Sequence, residues 1–167
     1  MAQEIAGSLD AQWMRVGVIV SQFNEAITSR LLSGAREAAA KHGVREERLT
    51  IVRVPGSFEL PQAAARMAGS GRWDALVALG CVIRGETAHF DFVAAEAARG
   101  IAEVARSTGR AVAFGVLTTN TVEQAMARSG GPAGNRGFDA MESAIKMANQ
   151  HRELNEAGSP AAERVER

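Results

Sequence analysis

Residues 75–93, ALVALGCVIRGETAHFDFV, contain two patterns that together decide the fold. The first part, residues 75–83, is a continuous apolar run, which is typical of a strand buried on both faces of a parallel sheet. After the polar letters RGETAH, apolar residues recur from residue 91 to 107 at the three- and four-residue spacing of an amphipathic helix. A buried strand that leads directly into a helix is typical of an α/β protein. His89 lies between the two elements, and neither pattern explains it.

The same alternation of strand and helix patterns continues on both sides of this stretch. Predicted strands cover residues 16–20, 50–54, 75–83 and 111–117, and predicted helices cover residues 27–42, 58–68, 91–107, 122–128 and 138–152. Four strand–helix repeats predict an α/β fold, a three-layer αβα sandwich with a central four-stranded parallel sheet. The predicted class is flavodoxin-like, with right-handed crossovers between the strands.

The chain is predicted to form one domain with a short segment at each end. No linker divides the 167 residues, and the domain is assigned to residues 13–154. Residues 1–12 carry a weak apolar pattern, which leaves two alternatives: a disordered tail, or a strand that pairs with the sheet edge of a neighbouring subunit. We expect the intersubunit strand. The polar residues 155–167 are expected to form a disordered tail.

The balance of charges argues against two classes of partner. The chain has 19 Lys and Arg and 19 Asp and Glu, a formal net charge of zero, so no attraction to nucleic acid or to an anionic membrane is expected. No apolar run reaches the ~18 residues of a membrane span, and the first residues lack the pattern of a signal peptide. Because Cys81 is the only cysteine, no intrachain disulfide can form, and a cytoplasmic location is expected.

Polar and aromatic side chains follow each of the four predicted strands. The four segments are SQFNEAITS at residues 21–29, PGSFELP at residues 55–61, CVIRGETAH at residues 81–89 and TTNT at residues 118–121. Ligands of open parallel sheets bind outside the carboxyl ends of the strands. We therefore expect the four segments to form one binding site.

Each candidate residue in these segments also has a purely structural explanation. Phe23 is equally explained as an apolar plug over a strand end, and Glu59 as a carboxylate that favours the positive end of a helix. Thr87 or Asp91 is explained as the cap of the helix that is predicted to start near residue 91. His89 is the hardest of them to explain structurally, because it stands at a helix entrance next to the polar turn.

Several common motifs do not occur in the sequence. There is no Gly-x-Gly-x-x-Gly after the first predicted strand, no Gly-Lys-Ser/Thr phosphate loop and no Gly-x-Ser-x-Gly elbow. Cys81 and His89 alone do not make a metal site, so no metal is predicted. Residues 130–137, GGPAGNRG, are interpreted as a flexible turn. However, Arg128 and Arg136 flank the start of the last helix, where guanidinium groups and free backbone N–H groups could hold a phosphate.

Five stretches of the chain, taken in order, carry a resemblance to a known family. They are FNEAIT (23–28), VPGSFELP (54–61), GCVIRGETAHFDFV (80–93), FGVLTTNTVEQAMARSG (114–130) and AGNRGFDAMESAIKMAN (133–149). With these motifs the chain resembles the lumazine synthase (6,7-dimethyl-8-ribityllumazine synthase) family over about residues 16–149. The resemblance implies an αβα sandwich with a four-stranded parallel sheet, which agrees with the strand–helix alternation.

The resemblance implies a condensation reaction. In it, 5-amino-6-(D-ribitylamino)uracil and 3,4-dihydroxy-2-butanone 4-phosphate give 6,7-dimethyl-8-ribityllumazine, phosphate and water in riboflavin biosynthesis. No organic cofactor and no metal are implied. Two alternatives stay open: a non-catalytic shell protein that binds flavin or lumazine, and a riboflavin synthase of the same fold.

The resemblance also implies roles for particular residues. The pyrimidine substrate is expected to contact Phe23, Ser57, Phe58, Glu59, Cys81, Val82, Ile83 and Phe114, and the butanone phosphate is expected to contact Glu86, Thr87 and Arg128. His89 matches the general acid/base, while Phe114 and Arg128 match positions supplied by a neighbouring subunit. Arg136 is a further phosphate contact, at a position where many relatives have Lys. We expect Glu86 to act through its backbone, because its carboxylate would repel a phosphate.

The resemblance finally implies a homo-oligomer with active sites at its subunit interfaces. Members of the family build pentamers, and some join twelve pentamers into an icosahedral shell of sixty subunits. The short loop at residues 130–137 resembles that of the shell-forming type. A pentamer is therefore expected here, and a sixty-subunit shell is the expected larger assembly.

Overall fold

Four parallel strands form the central sheet of the protein. The computed structural model describes residues 1–159. The strands are β1 (Val16–Ser21), β2 (Leu49–Val54), β3 (Ala75–Ile83) and β4 (Ala111–Thr119), and their order in the sheet is β2-β1-β3-β4. In this order the chain changes direction between β1 and β3, which is the topological switch point at which ligands of such sheets bind. The predicted four-stranded parallel sheet is confirmed.

Helices cover both faces of the sheet. They are α1 (Glu25–Lys41), α2 (Leu60–Ser70), α3 (His89–Thr108), α4 (Val122–Ala127) and α5 (Arg136–Ala157). One hydrophobic cluster joins α1 and α5 to the sheet, and a second joins α2 and α3 to its opposite face. The predicted three-layer αβα sandwich is therefore confirmed. Two short 3-10 turns, Glu46–Arg48 and Ser57–Glu59, precede β2 and α2.

The layers pack closely because small residues stand where the backbones approach. At Gly137, in the first turn of α5, a Cβ atom would overlap the carbonyl oxygen of Leu31 in α1. Every residue of β3 from Ala75 to Val82 is buried, so this strand is covered on both faces. That double coverage explains why β3 is a continuous apolar run rather than an alternating one.

Several helix and loop boundaries differ from the predicted ones. The helix predicted to begin at residue 91 begins at His89, and its N-cap residue is Ala88, whose methyl group cannot cap a helix. Of the two predicted capping residues, Asp91 lies inside the helix, and Thr87 contributes only a long contact of 3.4 Å from its hydroxyl oxygen to the His89 N–H. The turn predicted at residues 130–137 contains a small antiparallel hairpin, β5 (Ser129–Gly131) with β6 (Gly134–Asn135). The Asn135 side chain then caps α5 through the N–H groups of Gly137 and Phe138.

The first residues of the chain dock on helix α5. The Asn149 amide nitrogen donates to the carbonyl oxygens of Ser8 and Asp10 at 2.8 and 2.9 Å, and its oxygen accepts from the Trp13 indole N–H at 2.9 Å. Residues 1–12 form no strand within the part of the chain that the structure describes, so their pairing with another subunit stays a prediction. Helix α5 continues to Ala157, and residues 160–167 of the predicted tail lie outside the described residues.

Candidate active site

A cleft of about 730 Å³ opens at the carboxyl end of the sheet, beside the switch point between β1 and β3. It is formed by the segments that follow β1, β2 and β3. The predicted site residues that line it are Phe23, Ser57, Phe58, Glu59, Cys81, Val82, Ile83, Thr87 and His89. The segment after β4 does not line the cleft within the described residues, so three of the four predicted loops converge there. The cleft is lined mainly by apolar groups with a few polar ones, as is usual for small-molecule sites.

Phe23 forms the wall that follows β1. Its side chain is 71% exposed, so it is not the buried plug that was the alternative explanation. Its backbone N–H donates to the carbonyl oxygen of Pro55 at 3.0 Å, which ties the loop after β1 to the loop after β2. The next residue, Asn24, has a left-handed backbone with φ of 59°, and its amide nitrogen donates to the Cys81 carbonyl at 2.9 Å. Phe23 thus presents an open aromatic face on a rigid loop.

The 3-10 turn Ser57–Glu59 forms the wall that follows β2. Leu60 is fully buried directly after the turn and anchors it to the core. The Glu59 carboxylate lines the cleft, and it makes no hydrogen bond or ion pair with any of residues 1–159. The Phe58 ring is exposed at the rim. A carboxylate with free acceptor positions beside an aromatic ring suits a ligand that carries hydroxyl groups.

The end of β3 forms the floor of the cleft. Cys81 is almost fully buried there, and burial raises the pKa of its thiol to about 11. The thiol is therefore neutral near pH 7 and does not act as a nucleophile. Val82 and Ile83 complete the floor with apolar side chains. The floor therefore contributes shape and backbone groups rather than a reactive side chain.

The N-terminus of α3 forms the third wall, and His89 is the first residue of this helix. The His89 backbone N–H approaches the Thr87 hydroxyl oxygen at 3.4 Å, and both residues line the cleft. An N-terminus of a 20-residue helix favours negative charge through its macrodipole and its free N–H groups. The Glu86 side chain is exposed and stands apart from the lining residues. This end of the cleft therefore combines an imidazole with an anion-favouring helix start.

Three residues of the α3 wall were not predicted as site residues. Phe90, Phe92 and Val93 also line the cleft. Val93 was interpreted as part of the apolar stripe of the helix, a pattern that does not distinguish a core face from a cleft wall, and Phe90 and Phe92 were given no role. Phe92 is 70% exposed in the structure, and its place outside the apolar stripe of the helix was the signal that could have identified it from the sequence.

Arg84 supports this wall from outside the cleft. Its guanidinium lies 4.3 Å from the centre of the Phe90 ring, donates to the Asn120 side-chain oxygen at 3.0 Å, and pairs with Asp91 at 3.3 Å. Asn120 belongs to the segment after β4, which therefore reaches the site only indirectly. These contacts fix the position of Phe90 and of the turn that precedes α3.

Besides Glu86, three predicted site residues do not line the cleft of their own chain. Phe114, on β4, is 44% exposed and borders a second cavity of about 220 Å³ together with Arg136. The Arg136 guanidinium pairs with Asp139 at 3.0 Å. The Arg128 guanidinium donates to the carbonyl oxygen of Gln124 at 3.0 Å, at the end of α4. Within the described chain these residues belong to a different surface from His89.

Residues 1–159 contain neither a membrane-spanning helix nor a cluster of metal-binding side chains. No helix there is long and apolar enough to cross a membrane. No group of three or more His, Cys, Asp or Glu side chains in the same residues is arranged to hold a metal ion.

The sequence was also compared with protein families. The sequence profile of the 6,7-dimethyl-8-ribityllumazine synthase family, enzymes of riboflavin biosynthesis, matches residues 13–152. This range contains all four strands of the sheet and the three segments that form the cleft. The match confirms the resemblance inferred from the five motifs. The chain therefore belongs to the 6,7-dimethyl-8-ribityllumazine synthase family.

Proposed function

We propose that the protein condenses 5-amino-6-(D-ribitylamino)uracil with 3,4-dihydroxy-2-butanone 4-phosphate to give 6,7-dimethyl-8-ribityllumazine, phosphate and water. Family membership supports this reaction. The observation that carries it is one cleft in which an exposed Phe23 ring, a free Glu59 carboxylate and His89 at a helix N-terminus face the same space. These groups suit, in turn, a flat heteroaromatic ring, a polyol chain and a phosphorylated ketone.

The pyrimidine substrate is assigned to the side of the cleft formed after β1 and β2. Its ring stacks on Phe23, because offset stacking of aromatic rings is favourable and Phe23 is not covered by its own chain. Its ribityl hydroxyls donate to the Glu59 carboxylate, which has free acceptor positions. Backbone groups of Cys81, Val82 and Ile83 and the turn at Ser57 and Phe58 contact the remaining edges.

The phosphate of the second substrate is assigned to the start of α3. Gly85 and Thr87 line the cleft there, and the helix favours an anion at this end. Glu86 contributes through its backbone, since its exposed carboxylate would repel the phosphate. This placement brings the ketone of the butanone phosphate close to the amine of the pyrimidine. Such proximity supplies much of the acceleration in a condensation of two bound molecules.

His89 is assigned as the proton carrier. The amine attacks the C2 ketone, and water leaves as the imine forms. Loss of the C3 proton then expels phosphate from C4, two carbons from the imine carbon. The resulting enol becomes a C3 ketone, which the ribitylamino nitrogen attacks as the ring closes with loss of the second water. Each of these steps moves a proton between nitrogen, carbon and oxygen atoms of the two substrates. Imidazole both takes and gives a proton near neutral pH, and His89 lies at the phosphate end of the cleft.

A neighbouring subunit is assigned the residues that lie outside the cleft. In a pentamer, Phe114 would cover the pyrimidine and Arg128 would bind the phosphate of the adjacent chain's cleft. The exposure of Phe114 on β4, an edge strand, supports this assignment because the ring is available to another chain. Arg136 is a weaker phosphate contact, since its guanidinium is already paired with Asp139. A shell of sixty subunits is the proposed larger assembly.

The reaction is tested by supplying both substrates to the purified protein. Lumazine absorbance and inorganic phosphate should then increase in equal amounts. If neither increases in a sample of verified assembly, the synthase reaction is rejected, and tight binding of lumazine in that sample would favour the binding protein. Conversion of lumazine alone to riboflavin would instead identify a riboflavin synthase.

The shared site is tested by mixing two inactive variants. His89→Ala and Arg128→Ala subunits, unfolded and reassembled together in equal amounts, should recover roughly a quarter of the wild-type activity, because one interface in four carries both intact residues. The matched control mixes His89→Ala with Glu59→Ala. Both of these residues belong to one chain's cleft, so no recovery is expected. Equal recovery in the two mixtures, or none in either, would contradict a site shared between subunits.

A further inference from the structure

Two buried hydroxyl groups beneath the cleft have no hydrogen-bond partner. Ser21 is 1% exposed and Ser57 is 6% exposed. Within residues 1–159, the hydroxyl oxygens of these two serines are the buried side-chain polar atoms that neither donate nor accept a hydrogen bond. Buried polar side chains are nearly always bonded, so two exceptions in one place require a physical explanation.

Gly80 brings the two hydroxyls together. A Cβ atom at Gly80 would lie 2.5 Å from the Ser57 oxygen and 3.3 Å from the Ser21 oxygen, so the two oxygens are within about 6 Å of each other. The Leu60 Cδ1 atom lies 3.0 Å from the same point, so a side chain at position 80 would collide with Ser57 and crowd Leu60, and only glycine lets these side chains pack together. We name this space, bounded by Ser21, Ser57, Gly80 and Leu60, the serine niche. It lies where β1 ends and where the turn before α2 begins.

The geometry of the serine niche suits a single small molecule that both donates and accepts. Two hydrogen bonds of about 2.8 Å each can connect oxygens that are up to about 5.6 Å apart through one intervening oxygen. Ser57 lines the cleft, whereas Ser21 does not, so the bridging group must reach behind the cleft surface. A water molecule meets this requirement, because it makes two to four hydrogen bonds and needs a cavity of only about 10–15 Å³.

We propose that Ser21 and Ser57 bind one ordered water molecule in the serine niche. Through this water Ser21 is a positioning residue, since it connects the end of β1 to the Ser57–Glu59 turn. The turn carries the Glu59 carboxylate that faces the cleft. The water site does not depend on which reaction the cleft performs, because it is defined by buried groups of the chain itself.

A double-mutant cycle tests the shared water. Ser21→Ala and Ser57→Ala are measured singly and together by thermal unfolding of the assembled protein at one protein concentration. Each single variant leaves the other hydroxyl with an incomplete set of partners and is expected to lower the Tm by roughly 3 °C. The double variant removes both polar groups, so its Tm is expected to stay well above the value predicted by adding the single effects.

A control cycle uses a buried serine that has its own partner. Ser129 is 1% exposed, and its hydroxyl donates to the carbonyl oxygen of Met126 at 3.3 Å. Ser21→Ala and Ser129→Ala should combine additively, because the two residues share no partner. The proposal of a shared water is overturned if the effects of Ser21→Ala and Ser57→Ala on the Tm are additive. It is also overturned if Ser21→Ala alone has a higher Tm than the wild type.

Two further measurements separate the water from a substrate hydroxyl. A high-resolution crystal structure of the ligand-free protein should show density within hydrogen-bond reach of both serine oxygens, and its absence would refute the proposal directly. The non-additive effect of the two serine substitutions on the Tm, which is called their coupling, should also appear in ligand-free protein. If coupling appears only after 6,7-dimethyl-8-ribityllumazine is added, then a ligand hydroxyl rather than water fills the serine niche, and the proposal is wrong.

Discussion

Asn24 is expected to hold two walls of the cleft together, and its replacement gives a quantitative test. Its backbone is left-handed, with φ of 59°, and its amide nitrogen donates to the Cys81 carbonyl at 2.9 Å. The last pair between β1 and β3 is Val20 with Leu79, so the Asn24 bond continues the connection between these strands beyond the ladder. Phe23 and Cys81, one on each side of the bond, both line the cleft.

The loss of folding stability expected for Asn24→Ala has two separate contributions. Asn24→Ala removes the hydrogen bond, which costs about 1 kcal/mol. It also places a Cβ-bearing residue without a polar side chain in a left-handed conformation, which costs about 1–2 kcal/mol more. Asn24→Gly loses the same bond but adopts the conformation without strain, at the cost of greater freedom in the unfolded chain. We therefore expect the alanine variant to be about 1 kcal/mol less stable than the glycine variant, or roughly 2–4 °C lower in Tm.

Thermal unfolding of both variants, at one protein concentration, measures this difference. Lumazine binding, followed by fluorescence, shows whether the walls have moved, and both variants should bind more weakly than the wild type because both lack the bond to Cys81. Equal Tm values for Asn24→Ala and Asn24→Gly would show that the left-handed backbone carries no strain. Wild-type stability in both variants would refute the whole argument.

Three further predictions concern single residues. The pKa of Cys81 is raised from its ordinary value of 9.0 to about 11, so at pH 8 its thiolate fraction should be about 100-fold lower than that of an ordinary thiol. Its alkylation rate by iodoacetamide should be lower by at least that factor, because burial also limits access, and the rate should rise toward pH 11. Gly137→Ala should lower the Tm by roughly 5 °C or more, because its methyl group would overlap the Leu31 carbonyl. His89→Ala should lower kcat about 100-fold through loss of proton transfer, with little change in lumazine affinity.

Matched controls accompany these three measurements. Unfolded protein supplies the ordinary thiol for the alkylation rate, and equal rates in folded and unfolded protein would contradict the raised pKa of Cys81. Gly69→Ala is the control in α2, where a Cβ meets no atom within 4 Å, and it should stabilise the helix slightly. His151→Ala is the control in α5 for the kcat measurement. If His151→Ala lowered kcat as much as His89→Ala does, the effect would not be specific to His89, and its role as the proton carrier would be rejected.

The sheet could be predicted from the sequence because burial on both faces leaves a direct pattern. The nine residues of β3 form an apolar run with no charged residue, and they were predicted with their observed bounds. The start of α3 was missed because Ala88 carries none of the side chains by which helix starts are recognised. The docking of residues 5–10 on α5 was missed for a similar reason, since bonds from the Asn149 and Gln150 amides to backbone carbonyls leave no periodic pattern.

The candidate site was predicted in part, and the part that failed has a geometric cause. The carboxyl ends of neighbouring strands meet at one edge, so Phe23, Glu59 and His89 could be placed together without a structure. The segment after β4 contacts Arg84 through Asn120, and Arg84 lies outside the cleft. The strand order does not predict this, because β2 is an edge strand as well and its following segment lines the cleft. The serine niche could not be predicted at all, because Ser21, Ser57 and Gly80 come from three separate parts of the chain.

The hydrogen bonds of Asn149 join the start of the chain to its last helix, so they can form only late in translation. Trp13 and Asn149 are 136 positions apart in the chain, yet their side chains are bonded in the folded protein. The first residues therefore leave the ribosome long before α5, the helix on which they dock. Until α5 is made, Ala11 and Met14 lack part of the hydrophobic cluster that buries them completely in the native state. The domain can close only when translation of its final helix is nearly complete.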